Sequence, residues 1–280
     1  MFKRLLSLIL VLGLVGCTPQ PQKEQLHIAV AIPPLAAFLD AVVGDVCSVQ
    51  VMIPSGYSPE TYAPTPKELA TAQEADVYFA IGVPAEEQAI LPHLNPQTKV
   101  IRLDEAVDAN YPPRMMGDSP DPHRWLSPKR AKVMVATILD TLCELDPANT
   151  SLYENNAHLY MSELETLNQE LQDTLANLEN RSFLVYHPAF GYFAEDYELD
   201  MVALQKEGKE ATPQQLQETV DWAKAQGLRV IFYQEEIDSR QAEAFARELS
   251  GRAVVLNPLS EKYCENLRQM ATTISEAMKQ

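Results

Sequence analysis

Basic residues are scarce in this chain. Twenty-two lysines and arginines stand against 39 aspartates and glutamates, a formal net charge of −17 over 280 residues. A chain this acidic repels the phosphates of nucleic acid and anionic lipid, so neither is expected as a partner recognised by charge. No apolar run is long enough to cross a bilayer as a helix: the one sustained stretch, Leu5 to Val15, falls short of the ~20 residues a span needs. There is no His-Glu-x-x-His pair and no Gly-x-Ser-x-Gly elbow, so an exported metallohydrolase or serine hydrolase would lack its motif, and no enzyme is predicted. Cysteines number four, none at metal-ligand spacing. With no low-complexity tract or fixed-period repeat, the remainder reads as an ordinary globular body of one large or two medium domains.

The N-terminus offers Lys3 and Arg4, then the apolar run, then Gly16 before Cys17. That order describes a secretory signal over residues 1–16. Leu14-Val15-Gly16-Cys17 is similar to a bacterial lipobox, which makes Cys17 the lipidated first residue of the mature chain; an ordinary signal peptide with an incidental cysteine is the other reading. Residues 17–25 hold two prolines and several polar side chains, a flexible tether to the folded body. The protein is therefore expected to be exported and anchored by lipid to the cell envelope, periplasmic or on the outer face. Export permits disulfides, and of Cys47, Cys143 and Cys264 the first two share one half of the chain and form the preferred pair; three free thiols are the alternative.

Short apolar strands alternate with helices. Strands are predicted over 26–31, 48–53, 76–80 and 99–103, with helices over 34–43, 66–73 and 127–145. The pattern resumes with strands at 182–186, 201–204, 228–233 and 252–256, and helices from the Thr212-Pro213 cap to Gln226, over 239–249 and over 263–278. Such alternation predicts an α/β fold with mainly parallel sheets covered by helices. Between the two series, residues 147–180 read as one uninterrupted helix marked by Leu152, Leu159, Leu164, Leu167, Leu171, Leu175 and Leu178. A coiled coil would explain the leucines equally well, but the αβ patterns on both sides favour a spine joining two lobes. The expected divisions are an N-terminal lobe over 26–146, the linking helix 147–180 and a C-terminal lobe over 181–280.

Three stretches carry the chemistry. Asp121-Pro122-His123-Arg124-Trp125-Leu126-Ser127-Pro128 holds a histidine between prolines, just ahead of a helix with an N-cap serine and a first-position proline, a stiff setting that suits a metal ligand. In Val185-Tyr186-His187-Pro188-Ala189-Phe190-Gly191-Tyr192-Phe193, a second histidine ends an apolar strand. The run Pro54-Ser55-Gly56-Tyr57-Ser58-Pro59-Glu60-Thr61-Tyr62-Ala63-Pro64-Thr65-Pro66 follows another. Glu60, His187 and Asn257 each sit just past the carboxyl end of a strand, where open α/β sheets bind ligands. His27, His93 and His158 need only structural roles.

Together these stretches resemble the metal-ion substrate-binding proteins of ABC importers, from about Leu26 to the C-terminus. The resemblance implies two α/β lobes joined by a single long helix, which limits their relative motion. It carries over His123 and His187 as metal ligands. Glu60 stands where the family normally has histidine, and Asn257, in Val254-Val255-Leu256-Asn257-Pro258-Leu259, where it normally has aspartate. Asparagine offers a carbonyl oxygen and no charge, so Glu235 or Glu236, at the end of the preceding strand, could supply the missing carboxylate; a solvated edge is the other reading of those two acids. The chain lacks the His-rich acidic loop of many zinc members, since residues 108–121 hold no histidine. The function implied is capture of a divalent transition metal as transported ligand, zinc ahead of manganese or iron, by a monomer that delivers it to an ABC permease. A metal-free surface lipoprotein or adhesin is the principal alternative.

Overall fold

The computed structural model of the chain describes residues 25–205 and 211–279. The signal segment 1–16, Cys17 and the tether up to residue 24 lie outside the described residues.

The first strand, β1 (His27–Val30), seals Ile28, Ala29 and Val30 from solvent, as a central parallel strand must. The helix α1 (Pro33–Val43) begins on two prolines, whose missing N–H groups are no loss in a first turn. It ends at Gly44, whose φ of +57° a glycine adopts without strain. Next come β2 (Ser48–Val51), α2 (Pro66–Ala72), β3 (Val77–Ala80), β4 (Lys99–Arg102) and α3 (Leu103–Asn110). The four strands form a parallel sheet in the order β2-β1-β3-β4. A two-residue hairpin, β5 (Met115–Met116) and β6 (Ser119–Pro120), leads to α4 (Pro128–Leu145), capped by Ser127, whose Oγ accepts from the Arg130 N–H.

The spine is α5 (Thr150–Leu175), 26 residues without a break, about 39 Å at 1.5 Å per residue. It is shorter than the expected 147–180. Pro147–Asn149 form a separate tight turn, and at the far end Arg181 Nη1 donates to the carbonyls of Leu175 and Ala176, closing the last turn. The buried face carries Tyr153, Ala157, Leu164, Leu167, Leu171 and Leu175, spaced by three, four or seven. Leu152 and Leu159 point outward instead. α5 packs against α1, α4 and α9 (Tyr263–Met278) of its own chain, so its leucines are explained by an intramolecular spine and need no coiled-coil partner.

Beyond it lie β7 (Ser182–Val185), α6 (Gly191–Asp196), β8 (Asp200–Ala203), α7 (Pro213–Ala225), β9 (Val230–Gln234), α8 (Ser239–Glu248) and β10 (Arg252–Leu256). The second sheet is again parallel, ordered β10-β9-β7-β8. Along β7 the side chains alternate: Phe183 and Val185 join a core continuous with the first lobe, while Leu184 and Tyr186 join a separate cluster under α7 and α8. One hydrophobic core thus runs through both lobes. Across their junction, Arg130 Nη1 donates to Asp196 Oδ1 at 3.1 Å between two buried side chains, and Ser127 Oγ donates to Asp196 Oδ2 at 2.6 Å.

The disulfide expected between Cys47 and Cys143 is not made. No disulfide joins the three described cysteines, and Cys47 Sγ lies 3.4 Å from the Tyr153 hydroxyl, turned into the α5 interface.

Candidate metal centre

Three loops at the carboxyl ends of the strands meet between the lobes. The first leaves β2 and is held by a tight turn: the Glu60 N–H donates to Ser58 Oγ at 3.2 Å, and the Tyr62 N–H to the Ser58 carbonyl at 3.0 Å. Its far end is fixed by a capping box, in which Thr65 and Glu68 satisfy each other's backbone N–H at the start of α2. Tyr62 Oη also donates to Glu68 Oε1, at 2.9 Å. The second loop carries His123, and an indole two residues further on fastens it. Trp125 is fully buried, its Nε1–H donates to the Pro258 carbonyl at 2.8 Å, and its own carbonyl accepts from Tyr263 Oη at 2.7 Å. The third loop follows β7 and carries His187.

These loops bring Glu60, His123 and His187 together. One potential ligand atom from each lies within 4.8 Å of the others. The imidazoles are 2% and 4% exposed, with ring centroids 5.4 Å apart and edge-to-face, while Glu60 is partly buried. His123 Nδ1 lies 2.8 Å from Asp121 Oδ1, which also accepts the His123 backbone N–H at 2.9 Å. A carboxylate oxygen here accepts, so Nδ1 carries a proton and Nε2 is the ring nitrogen left to face a metal. His187 Nδ1 lies 2.8 Å from Gln205 Oε1, and its Nε2 lies 2.8 Å from Glu60 Oε1. With an oxygen at each nitrogen, His187 is placed to carry a proton on both.

The electrostatics agree. Burial alone would push the His187 pKa down, but the bond to Glu60 and its charge outweigh that and raise it. For Glu60 burial pushes up, and the hydrogen bond and charge of His187, with the charge of His123, bring the net shift below the ordinary carboxylate value. Gly191, at the start of α6, lets the second lobe come this close: a Cβ there would meet Arg114 Nε at 2.7 Å and Asp121 Oδ2 at 2.8 Å.

The other expected donors stand apart from the trio. Asn257 spends both polar atoms on its own neighbourhood, its Nδ2 donating to Glu235 Oε2 at 2.7 Å and its Oδ1 accepting the Leu259 N–H at 2.8 Å. Glu60, His123, His187 and Glu236 line one cavity of about 610 Å³ between the lobes, whereas Asn257 and Glu235 do not. Burial, ahead of the charge of Glu235, pushes the Glu236 carboxyl up to about 7. Sequence reasoning gave no role to Asp121, Gln205 or Trp125. Asp121 stands two residues before His123 in the same motif, a spacing that allows a carboxylate to reach back to the imidazole. Gln205, just past β8, carries no such signal.

A family model described as "Zinc-uptake complex component A periplasmic" matches residues 28–277. The chain is 30% identical over 253 residues to the "High-affinity zinc uptake system protein ZnuA" of Bacillus subtilis (strain 168), covering 84% of this chain and 79% of that protein. It is 29% identical over 221 residues to the "Manganese-binding lipoprotein MntA" of Halalkalibacterium halodurans, 77% of this chain and 73% of that protein. Its fold superimposes on a "Crystal structure of ZnuA" with a TM-score of 0.85 at 36% identity, over 91% of this chain and 100% of that one.

Proposed function

Because the chain belongs to the zinc-uptake complex component A family of periplasmic proteins, we propose that it captures a divalent transition metal between its lobes and delivers it to an ABC permease. Zinc is the favoured cargo and manganese the second, as relatives named for each metal suggest. The family is a metal-binding component of transport. The observation that carries the reading is the convergence of Glu60 and His123 from one lobe and His187 from the other on a point where one atom of each lies within 4.8 Å.

Chemically, the metal takes the place of a proton. His187 Nε2 and Glu60 Oε1 now share a hydrogen at 2.8 Å. Bonds of about 2.0–2.1 Å to a tetrahedral zinc would set these two atoms roughly 3.3 Å apart, so the pair opens by about half an ångström as the proton leaves. Asp121 and Gln205 hold the far nitrogens of the two rings throughout and keep each Nε2 aimed at the ion. Two imidazoles and a carboxylate bind zinc well and still admit manganese, because N/O sites separate these metals by geometry more than by donor type.

In this reading residues 26–146 and 181–280 are the two lobes and residues 147–180 their link, while Cys17 carries a lipid that keeps the body at the membrane. Elemental analysis of the chain purified from cells supplied with both metals tests the cargo: zinc near one per chain is expected, and a chain that retains neither metal defeats the proposal.

A further inference from the structure

Glu60, His123 and His187 offer a metal three donors, and among the described residues no other His, Cys, Asp or Glu atom comes within reach of all three. A Zn²⁺ ion so held keeps a net charge of +1, and a metal with three protein ligands keeps a position open to a ligand from solution. The space around it is far more than an ion needs. The cavity between the lobes has a volume of about 610 Å³, roughly twenty times the ~30 Å³ share of one water and within the ~300–1,000 Å³ of small-molecule sites.

Beyond the three donors, the second lobe furnishes a wall with a polar group to spare. Gln234, at the end of β9, lines the cavity and is 5% exposed, and its side-chain amide makes no hydrogen bond among the described residues. Unlike Glu236 Oε1, which is sealed off, the Gln234 amide is not shut away from solvent, so its donor and acceptor open on the cavity. An amide this buried is costly to leave unpaired. Ile237 and Leu259 add apolar surface, while the rim charges of Arg240 and Asp238 are spent on each other.

We infer that the cleft takes its metal together with a small α-amino acid, an inference that rests on the metal-binding reading of the three donors. The amino nitrogen and one carboxylate oxygen of the amino acid chelate the ion, the ammonium giving its extra proton to solvent, and the resulting monoanion brings the shell of Zn²⁺ and Glu60 to neutrality. The second carboxylate oxygen accepts from the Gln234 amide, and a short side chain rests against Ile237 and Leu259. Polycarboxylates are disfavoured by the same charge count, because they would leave the shell negative beside Asp238 in a chain of net charge −17.

The test loads cobalt(II), whose visible bands report the ligand set, into the demetallated full chain and titrates it with L-alanine. Acetate, which has the carboxylate but no nitrogen to chelate with, is titrated in parallel. L-Alanine should shift the bands saturably, one molecule per chain, with the metal retained on dialysis, and acetate at equal concentration should not. Gln234→Met, which keeps the shape and removes the amide, should bind cobalt within about twofold of wild type while its affinity for L-alanine falls about tenfold, the scale of one hydrogen bond to a charged group. If Gln234→Met does not fold, Gln234→Ala is read in the same way. Unshifted bands up to millimolar L-alanine, an equal shift with acetate, or removal of cobalt by L-alanine would overturn the chelate and leave the three-residue site standing. Undiminished L-alanine affinity in the Gln234 variants would overturn the part given to Gln234. A chain that binds no cobalt with or without L-alanine would remove the metal-binding reading and the co-ligand with it.

Discussion

Replacing Asp121 by Asn should weaken zinc binding while leaving the fold in place. Asp121 Oδ1 accepts the His123 backbone N–H at 2.9 Å and faces the ring Nδ1 at 2.8 Å, on a side chain 4% exposed. The ring bond fixes the tautomer that leaves Nε2 for the metal, and the carboxylate's charge makes that nitrogen a stronger donor. Asparagine preserves the shape and loses the charge. Outer partners of metal-bound histidines are worth 10–100-fold in affinity, roughly 1.4–2.7 kcal/mol. The upper half of that range is expected, because the bond is short, buried and charge-assisted. His187 provides the internal comparison: its Nδ1 is held at the same 2.8 Å by the neutral Gln205, so Gln205→Ala should cost less than Asp121→Asn. The assay is chelator-competition titration of demetallated proteins, with metal-free melting curves confirming that each variant is folded. Wild-type affinity in Asp121→Asn, or a larger loss in Gln205→Ala, would refute the idea that a supporting charge tunes His123.

Glu60→His should tighten zinc selectively over manganese, because imidazole suits the softer ion; equal gains for both metals in parallel titrations would count against Glu60 as a ligand. Glu86, fully buried between β3 and β4 in the chain, has one oxygen accepting from the Ile81 and Gly82 N–H groups at 2.9 and 2.6 Å and the other unpartnered. Burial raises its carboxyl from 4.5 to about 7. Below pH 4.5 both folded and unfolded forms are protonated. As pH rises towards 7 only the unfolded form loses the proton, so stability falls across that window by roughly 3 kcal/mol and then levels. Glu86→Gln, which keeps an acceptor and removes the charge, should flatten denaturant-derived stability between pH 4.5 and 7, and an unchanged slope would show that another group sets it. Cys17→Ser should release the protein from the membrane fraction, because each buried CH₂ of a lipid contributes about 0.8 kcal/mol to anchoring; full retention would rule the lipid out.

The alternation of short apolar runs with capped helices made both parallel sheets legible, since each parallel strand must be covered on both faces and so reads as continuously apolar. Thr65-Pro66, Ser127-Pro128 and Thr212-Pro213 are all helix starts in the structure, because cap and first-turn preferences act locally. Two short helices are not legible in this way. α3 follows β4 with no intervening turn, and α6 begins on a glycine in an aromatic stretch, so neither has an N-cap signal. On α5 the leucines mark the helix but not its buried face in the first half, where Tyr153 and Ala157 point inward and Leu152 and Leu159 outward. At the site, His123, His187 and Glu60 are legible as residues from their own surroundings, and as neighbours only through the resemblance to the family. Asn257 shows the limit most clearly: its place in the chain suggests a donor, while the direction of its amide is decided by the Leu259 N–H two residues on, a local side-chain-to-backbone bond that competes with any ligand.

The proposed function requires His123 and His187 to hold one metal ion between the lobes. Isothermal titration of demetallated wild type and of the His123→Ala/His187→Ala chain with zinc tests it most directly. Wild type should take up one zinc per chain and the double variant none, with both proteins equally folded before zinc is added; stoichiometric, wild-type-like binding by the double variant would contradict the account.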